Sequence, residues 1–356
     1  MDKVFDYKTL LQFTTNVFLT VGCTKAHAET AASALVSADL RGIDSHGVAR
    51  LSGYIRLWEV GRVNPTPSID IVHQTPSTAV VDGDRGLGLV VAPHAMDVAI
   101  QKAEQVGSGW VSVSNSNHFG IAAYHAMKAL KKDMIGIVMT NASALVAPTF
   151  STERMLGTNP ICVAIPAGDQ PAFVADMATT TAANGKLEIL QRKGLEAPMG
   201  WIQDQYGAHS SDAHALKHGG ALLPLGGGTV GHKGYALASI VDIFSAVLSG
   251  ANFGPWVPPF PAYVPMPENQ PGKGIGHFFG ALRIDAFRPA DEFKKDMDLW
   301  INRFRSANPI DETQPVIIPG DPEREMESIR SKDGIPLHEL VWSDLVAIAQ
   351  KFNIKF

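Results

Sequence analysis

Apolar positions in the first sixty residues recur with the spacing of helices. One helix is expected from a cap at Asp6 to about Leu19, ended by Gly22, and a second from a cap at Thr24 to about Leu40. Val48, Leu51, Tyr54, Ile55 and Trp58 then mark the apolar face of a third, which runs to Gly61. From about residue 69 the texture changes to short apolar runs alternating with amphipathic stretches. "IDIVHQ" and "TAVVDG" read as strands, "LGLVVAPHAMDVAIQKAEQVG" as a helix, "GWVSVSNSN" as a strand, "AAYHAMKALKKD" as a helix and "MIGIVMTNAS" as a strand. "NPICVAIPAG" and "PAFVADMA" are strands too close together for a helical crossover, so the sheet must hold antiparallel pairs. A helix follows around "GKLEILQRKG".

The longest apolar stretch, "GYALASIVDIFSAVLSGANFG" (234–254), carries Asp242 in its middle and reads as a buried helix, not a membrane span. Residues 251–275, rich in proline and aromatics, read as a covering loop. "GHFFGALRIDAF" is a late strand, and "ADEFKKDMDLWINRFRSA" and "SDLVAIAQKF" are closing amphipathic helices. The fold class is therefore α/β with a mixed sheet. The two helical ends, 1–75 and 290–356, are expected to form one discontinuous subdomain around an α/β region spanning 76–289.

Composition narrows the function. The 356 residues are 45% hydrophobic and 18% charged, as in ordinary globular proteins. Thirty basic against 35 acidic side chains leave a net charge of −5, which argues against nucleic acid as a partner. The start, "MDKVFDYKTLLQF", lacks the apolar core of a signal peptide, and only two cysteines, Cys23 and Cys162, are present. A soluble cytoplasmic protein without membrane contact is the expectation.

Several motifs compete for the chemistry. Gly226, Gly228 and Gly231 match the G-x-G-x-x-G dinucleotide fingerprint, but Pro224 interrupts the preceding run. The only acid near the required distance, Asp242, lies in a helix, so a standard Rossmann site is not expected. The same run fails as a triphosphate loop because His232 separates Gly231 from Lys233; it remains a glycine-rich approach to a helix N-terminus with Lys233 at its mouth. His209, His214 and His218 offer a metal-like spacing without a following acid, so no metal is assigned.

In "DLRGIDSHGVARL" (39–51), Ser45, His46 and Arg50 stand within six positions. Ser45 lacks the strained elbow of a serine nucleophile. The remaining reading is His46 as general acid/base, tuned by Ser45, with Arg50 gripping a carboxylate in two-pronged fashion. That set suits proton removal from a hydroxyl next to a carboxylate, with hydride passing to a nicotinamide. His118 in "SNSNHFG" and Asp176 in "FVADMATTTAANG" both sit at strand ends, where α/β proteins place reactive groups.

Taken in order, "DLRGIDSHGVARL", "SNHFG", "MLGTNPICVAIP", "DMATT" and "GHKGYALASIVDIFSAVLSG" resemble the malate/L-lactate dehydrogenase family unrelated to the Rossmann-type enzymes. Its relatives include ureidoglycolate dehydrogenase, sulfolactate dehydrogenase, diketogulonate reductase and piperideine-2-carboxylate reductase. The resemblance covers nearly the whole chain. It implies a non-Rossmann nicotinamide-binding domain, a homodimer, and an active site between that domain and the helical part. His46 becomes the proton carrier with Ser45 and Asp176 in its relay; His118, the base in some relatives, lies in the pocket; Arg50 holds the substrate carboxylate.

By the same resemblance the turn Asp176, Met177, Ala178, Thr179, Thr180, Thr181 and Ala182 lines the cofactor together with His232 and Lys233. Thr140 and Asn141 add contacts from a strand end. A C-terminal turn with Gly320 and Asp321 corresponds to a family turn that touches the cofactor, although Pro322 departs from its pattern. The expected reaction is hydride transfer between NAD, or NADP, and a small L-2-hydroxy acid, malate/oxaloacetate before lactate/pyruvate. The alternative is a reductase of a cyclic imine or of a sugar-derived or sulfonated 2-oxo acid.

Overall fold

A computed structural model describes residues 3–356. The chain opens with a short strand, β1 (Lys3–Phe5), and helices α1 (Tyr7–Thr20), α2 (Lys25–Leu40) and α3 (Leu51–Glu59). Asp6 and Thr24 cap the first two, each accepting a backbone N–H three residues on, as their positions predict. Next come β2 (Asp70–Gln74), β3 (Thr78–Asp82), α4 (Gly88–Val106), β4 (Ser108–Ser116), α5 (Ala122–Ala126) and β5 (Met134–Thr140). β6 (Ile161–Ile165), β7 (Phe173–Met177) and α6 (Asn184–Lys193) follow, then three two-residue strands, β8 (Ile202–Gln203), β9 (His209–Ser210) and β10 (Ala221–Leu222). α7 (Gly227–Asp242), β11 (Ile275–Arg283), α8 (Ala290–Arg305), α9 (Asp321–Asp333), β12 (Ile335–Leu337) and α10 (Glu339–Phe352) complete the order.

Seven strands form one sheet in the order β2-β3-β4-β11-β5-β6-β7. Only β3 and β4 are parallel, joined by α4 as crossover; every other neighbouring pair is antiparallel. This is the expected α/β class with a mixed sheet, and it is not the parallel array that a Rossmann fingerprint serves. The late strand β11 inserts at the centre, between β4 and β5, and every residue from Ile275 to Ala281 is buried. α4 and α5 cover the sheet through Val91, Ala95, Met96, Ala99 and Ala126 against Val111, Val113, Val138 and Phe279.

The chain ends meet. β1 pairs with β12, and Leu10, Phe13, Leu35, Leu51 and Tyr54 share a core with Ile335, Leu337, Leu345 and Ile348. Two details differ from the expected boundaries. β2 hydrogen-bonds to β3, so the sheet begins at residue 70. α8 lies beside the β6–β7 edge, where Trp300 packs edge-on to Phe173 and Asp298 accepts the backbone N–H groups of Gly168, Asp169 and Gln170.

The stretch read as a buried helix is helical from Gly227 to Val247 but not buried within this chain. Ile240, Ile243, Phe244, Val247 and Leu248 are between 41% and 58% exposed, at spacings i, i+3, i+4, i+7 and i+8. Its other face, with Val241, Asp242 and Ser245, is buried. No helix among the described residues is long and apolar enough to cross a membrane.

Candidate active site

The loop between α2 and α3 is shaped by one carboxylate. Asp39, fully buried, accepts the Val48 N–H at 2.8 Å, and a Cβ at Gly47 would stand 1.9 Å from its Oδ1. Only glycine permits that approach. Arg330 of α9 donates to the Asp39 carbonyl and pairs with Asp44 at 2.5 Å, so the C-terminal helices grip the loop. Two short 3₁₀ turns, Asp44–His46 and Val48–Arg50, then present Ser45, His46 and Arg50 on one side.

Ser45 Oγ and His46 Nδ1 are 2.9 Å apart, and Arg50 Nε donates to the Ser45 carbonyl at 2.6 Å. Among the described residues no partner engages His46 Nε2 or the two terminal amino groups of Arg50. His118 comes from the loop after β4. Its ring stacks near that of His46 (centroids 5.7 Å apart, 24° between planes), and its Nδ1 lies 2.6 Å from the Tyr54 hydroxyl. Phe260, from the proline-rich loop, walls the pair, 4.8 Å from His118 and 5.3 Å from Tyr54.

Burial, and then the Arg50 charge, lower the His46 pKa to about 4. Burial, followed by His46, Arg50 and His277, holds His118 well below the usual histidine range. Both rings are therefore neutral at physiological pH. The site brings together two neutral imidazoles and a guanidinium whose Nε is spent on Ser45 and whose terminal amino groups have no protein partner among the described residues.

Asp176 is not in hydrogen-bond contact with His46 or Ser45. Its carboxylate accepts the Ala123 N–H at 2.8 Å and so anchors the helix that follows the His118 loop. The residue keeps an exposed side, yet the surrounding protein raises its pKa to about 6, burial being the main cause. Its link to the histidines runs through backbone.

The Asp176–Ala182 turn is zipped to the glycine run. The Thr181 N–H donates to the Leu223 carbonyl at 3.2 Å, the Leu225 N–H to the Thr179 carbonyl at 2.9 Å, and Thr180 bridges Pro224. Thr179 Oγ1 donates to the Asn159 carbonyl and Thr180 Oγ1 to that of Ala182, so both are buried as turn supports. Met177 is half exposed, while Ala178 and Ala182 are more enclosed. Beyond the turn, Gly185 at the start of α6 faces the active loop: a Cβ there would lie 3.3 Å from Ser45 Cβ and 4.0 Å from an Arg50 terminal nitrogen.

Gly185 thus borders the active loop, and backbone pairing ties the turn before it to Leu223–Leu225, just ahead of the glycine run. There a cavity of about 520 Å³ is lined by Gly227, Gly228, Gly231, His232, Thr149 and Tyr206. Thr149 Oγ1 is buried without a partner. Lys233 is exposed nearby, beyond a kink at Val230. Glycines at the start of a helix leave backbone N–H groups open to an anion such as a phosphate.

Thr140 and Asn141 are placed deeper. Thr140 Oγ1 meets His277 Nδ1 at 2.7 Å, and His277 Nε2 meets Ser116 Oγ at 2.9 Å. Asn141 donates to Asp242 and to the Asn252 carbonyl and accepts the Gly276 N–H. Both side chains are taken up in a network under the sheet's end. Gly320 and Asp321 form a turn held to β7 by the Val174 N–H on the Pro319 carbonyl. Asp321 is committed to Arg305 (2.8 Å), Arg324 (2.5 Å) and the Ile318 N–H (2.9 Å), and Pro322 opens α9, where a missing N–H costs nothing. Around the spaced histidines, His218 and Asp212 approach to 3.5 Å, and no group of three metal-binding side chains converges among the described residues.

Three site residues escaped the sequence reading. Helical spacing places Tyr54 among the apolar positions, although it follows Arg50 by one helical turn and a buried phenol needs a partner. Asp39 opened the quoted motif without a role. Phe260 lay in the loop read only as a cover.

The family model for malate/L-lactate dehydrogenase matches residues 5–346. A malate dehydrogenase of Pyrococcus abyssi is 41% identical over 97% of this chain and 94% of its own. An L-sulfolactate dehydrogenase of Methanocaldococcus jannaschii is 38% identical over 94% of this chain and 92% of its own. Among solved structures, malate dehydrogenase from Entamoeba histolytica superposes with a TM-score of 0.92 at 32% identity, covering 100% of this chain and 99% of that one. Matched from end to end in sequence and fold, the chain belongs to the malate/L-lactate dehydrogenase family and is a hydroxy acid dehydrogenase.

Proposed function

We propose that the chain transfers a hydride between NAD and a small L-2-hydroxy acid, with malate/oxaloacetate as its pair. The observation that carries this reading is the convergence of His46 and His118 with an Arg50 whose terminal amino groups have no protein partner among the described residues. Arg50 binds the substrate carboxylate through two parallel N–H···O bonds. His46 Nε2 takes the hydroxyl proton as the acid is oxidised and returns it on reduction. Dehydrogenases of this family work with a nicotinamide cofactor, which accepts or supplies the hydride when bound. We assign to it the turn carrying Met177 and Ala178, Gly185, and the Gly227–Gly231 cavity with His232 and Lys233. Malate is favoured by the Pyrococcus relatives, both malate dehydrogenases at 41% identity.

The exposed apolar stripe Ile240–Leu248 supports a homodimer, since a lone chain gains nothing by showing water such a face. The test of the reaction is a spectrophotometric panel of NADH and NADPH against oxaloacetate, pyruvate, 3-sulfopyruvate, diketogulonate and a cyclic imine. Oxaloacetate with NADH should give the highest kcat/KM. A clear preference for sulfopyruvate or the imine would reassign the substrate, and silence with every pair would end the reading.

A further inference from the structure

We infer that Tyr54 is a positioning residue that fixes His118 in the tautomer protonated on Nε2, making His118 a neutral hydrogen-bond donor to the reacting oxygen rather than the base. This rests on the function proposed above and divides the labour between its two histidines.

The argument is a count of protons and acceptors. The Tyr54 side chain is 1% exposed; beside its hydroxyl stand the Gly120 N–H, a donor, and His118 Nδ1 at 2.6 Å, the one acceptor within hydrogen-bond reach among the described residues. A buried phenol proton with no acceptor is costly, so it must point at Nδ1. The Gly120 N–H, which can only donate, is aimed at the same nitrogen from 3.4 Å. Two donors on Nδ1 leave the imidazole proton on Nε2, the one ring nitrogen that no other group engages. That nitrogen has no lone pair with which to accept the substrate's proton.

The other ring differs. His46 Nδ1 meets the Ser45 hydroxyl, which can donate or accept, so its Nε2 is free to carry a lone pair. A second proton on His118 would also place a cation beside Arg50 and beside the ring that has just received the substrate proton. In the oxidation, the O–H proton passes to His46 Nε2, the C2 hydrogen leaves with its electron pair for the nicotinamide, and C=O forms. The His118 Nε2–H holds the oxygen throughout and transfers nothing, the role of a neutral electrophilic imidazole.

The test combines a spectroscopic and a kinetic readout. Ring ¹⁵N shifts of His118 in the full-length protein without substrate should show the Nε2–H form in the wild type and a mixture of tautomers in Tyr54→Phe. The Tyr54→Phe variant should lose about 10-fold in kcat with KM kept, because one hydrogen bond is removed and no substrate contact is touched. His118→Gln, which offers an amide donor but no base, should retain at least ~10-fold more activity than His118→Ala. An Nδ1–H form in the wild type, or His118→Gln no better than His118→Ala, overturns the inference. The tautomer is read without turnover, so failure of the substrate reading would leave that measurement intact and distinguishable.

Discussion

At the scale of single residues, the chemistry rests on how each polar group is already spent. Arg50 uses Nε on the Ser45 carbonyl and keeps its terminal fork for a ligand. Arg50→Lys should therefore raise KM at least tenfold while sparing kcat more, because a point charge cannot reproduce a paired contact; steady-state kinetics with oxaloacetate check this. His46, with its pKa lowered to about 4, is unprotonated across the neutral range. Its proton-accepting form is present above that value and disappears below it. Oxidation of the hydroxy acid should thus stay level as pH falls through 6.5 and decline only towards about pH 4. A half-maximal point near 6.5 in a kcat/KM profile would contradict the burial argument. Ser45, His46 and Arg50 were legible in the sequence because local spacing put them together. Tyr54 was not, because its partner His118 lies 64 positions away and only the fold joins them.

At the scale of elements, the active loop is held by close approach rather than by many contacts. Gly47→Ala would drive a methyl group into the Asp39 carboxylate, so the loop must shift, at a cost of about 1–3 kcal/mol. Denaturant unfolding should show that loss, and activity should fall further than stability alone explains. Capped helices such as α1 and α2 were readable because Asp6 and Thr24 act within one turn. Strands β6 and β7 were readable as an antiparallel pair from the short chain between them. β11 was readable as a strand but not as the sheet's centre, since pairing with β4 and β5 is decided by contacts across more than a hundred residues. The apolar run after Gly234 misled for a related reason: hydrophobicity marks a face for burial without saying whether this chain covers it. Cofactor assignments at Thr140 and Asn141 met a similar limit, because the sequence does not disclose that His277 and Asp242 already engage them.

At the scale of the whole molecule, the two chain ends close over one another and grip the active loop through Arg330, while the sheet supplies His118 from the other side. The site is thus built where the helical core meets the α/β layer. The stripe of Ile240, Ile243, Phe244, Val247 and Leu248 should bury itself in a second copy, giving a dimer in analytical ultracentrifugation. Val247→Asp should move the population towards monomer, since a buried carboxylate without a partner is costly; an unchanged sedimentation profile would place the interface elsewhere. The central claim concerns His46, and its most direct test is oxaloacetate reduction by NADH in single turnover, wild type beside His46→Ala. The expected result is a loss of ~10²–10⁴-fold in the hydride-transfer rate with NADH affinity kept. A variant that transfers hydride at the wild-type rate would contradict the account.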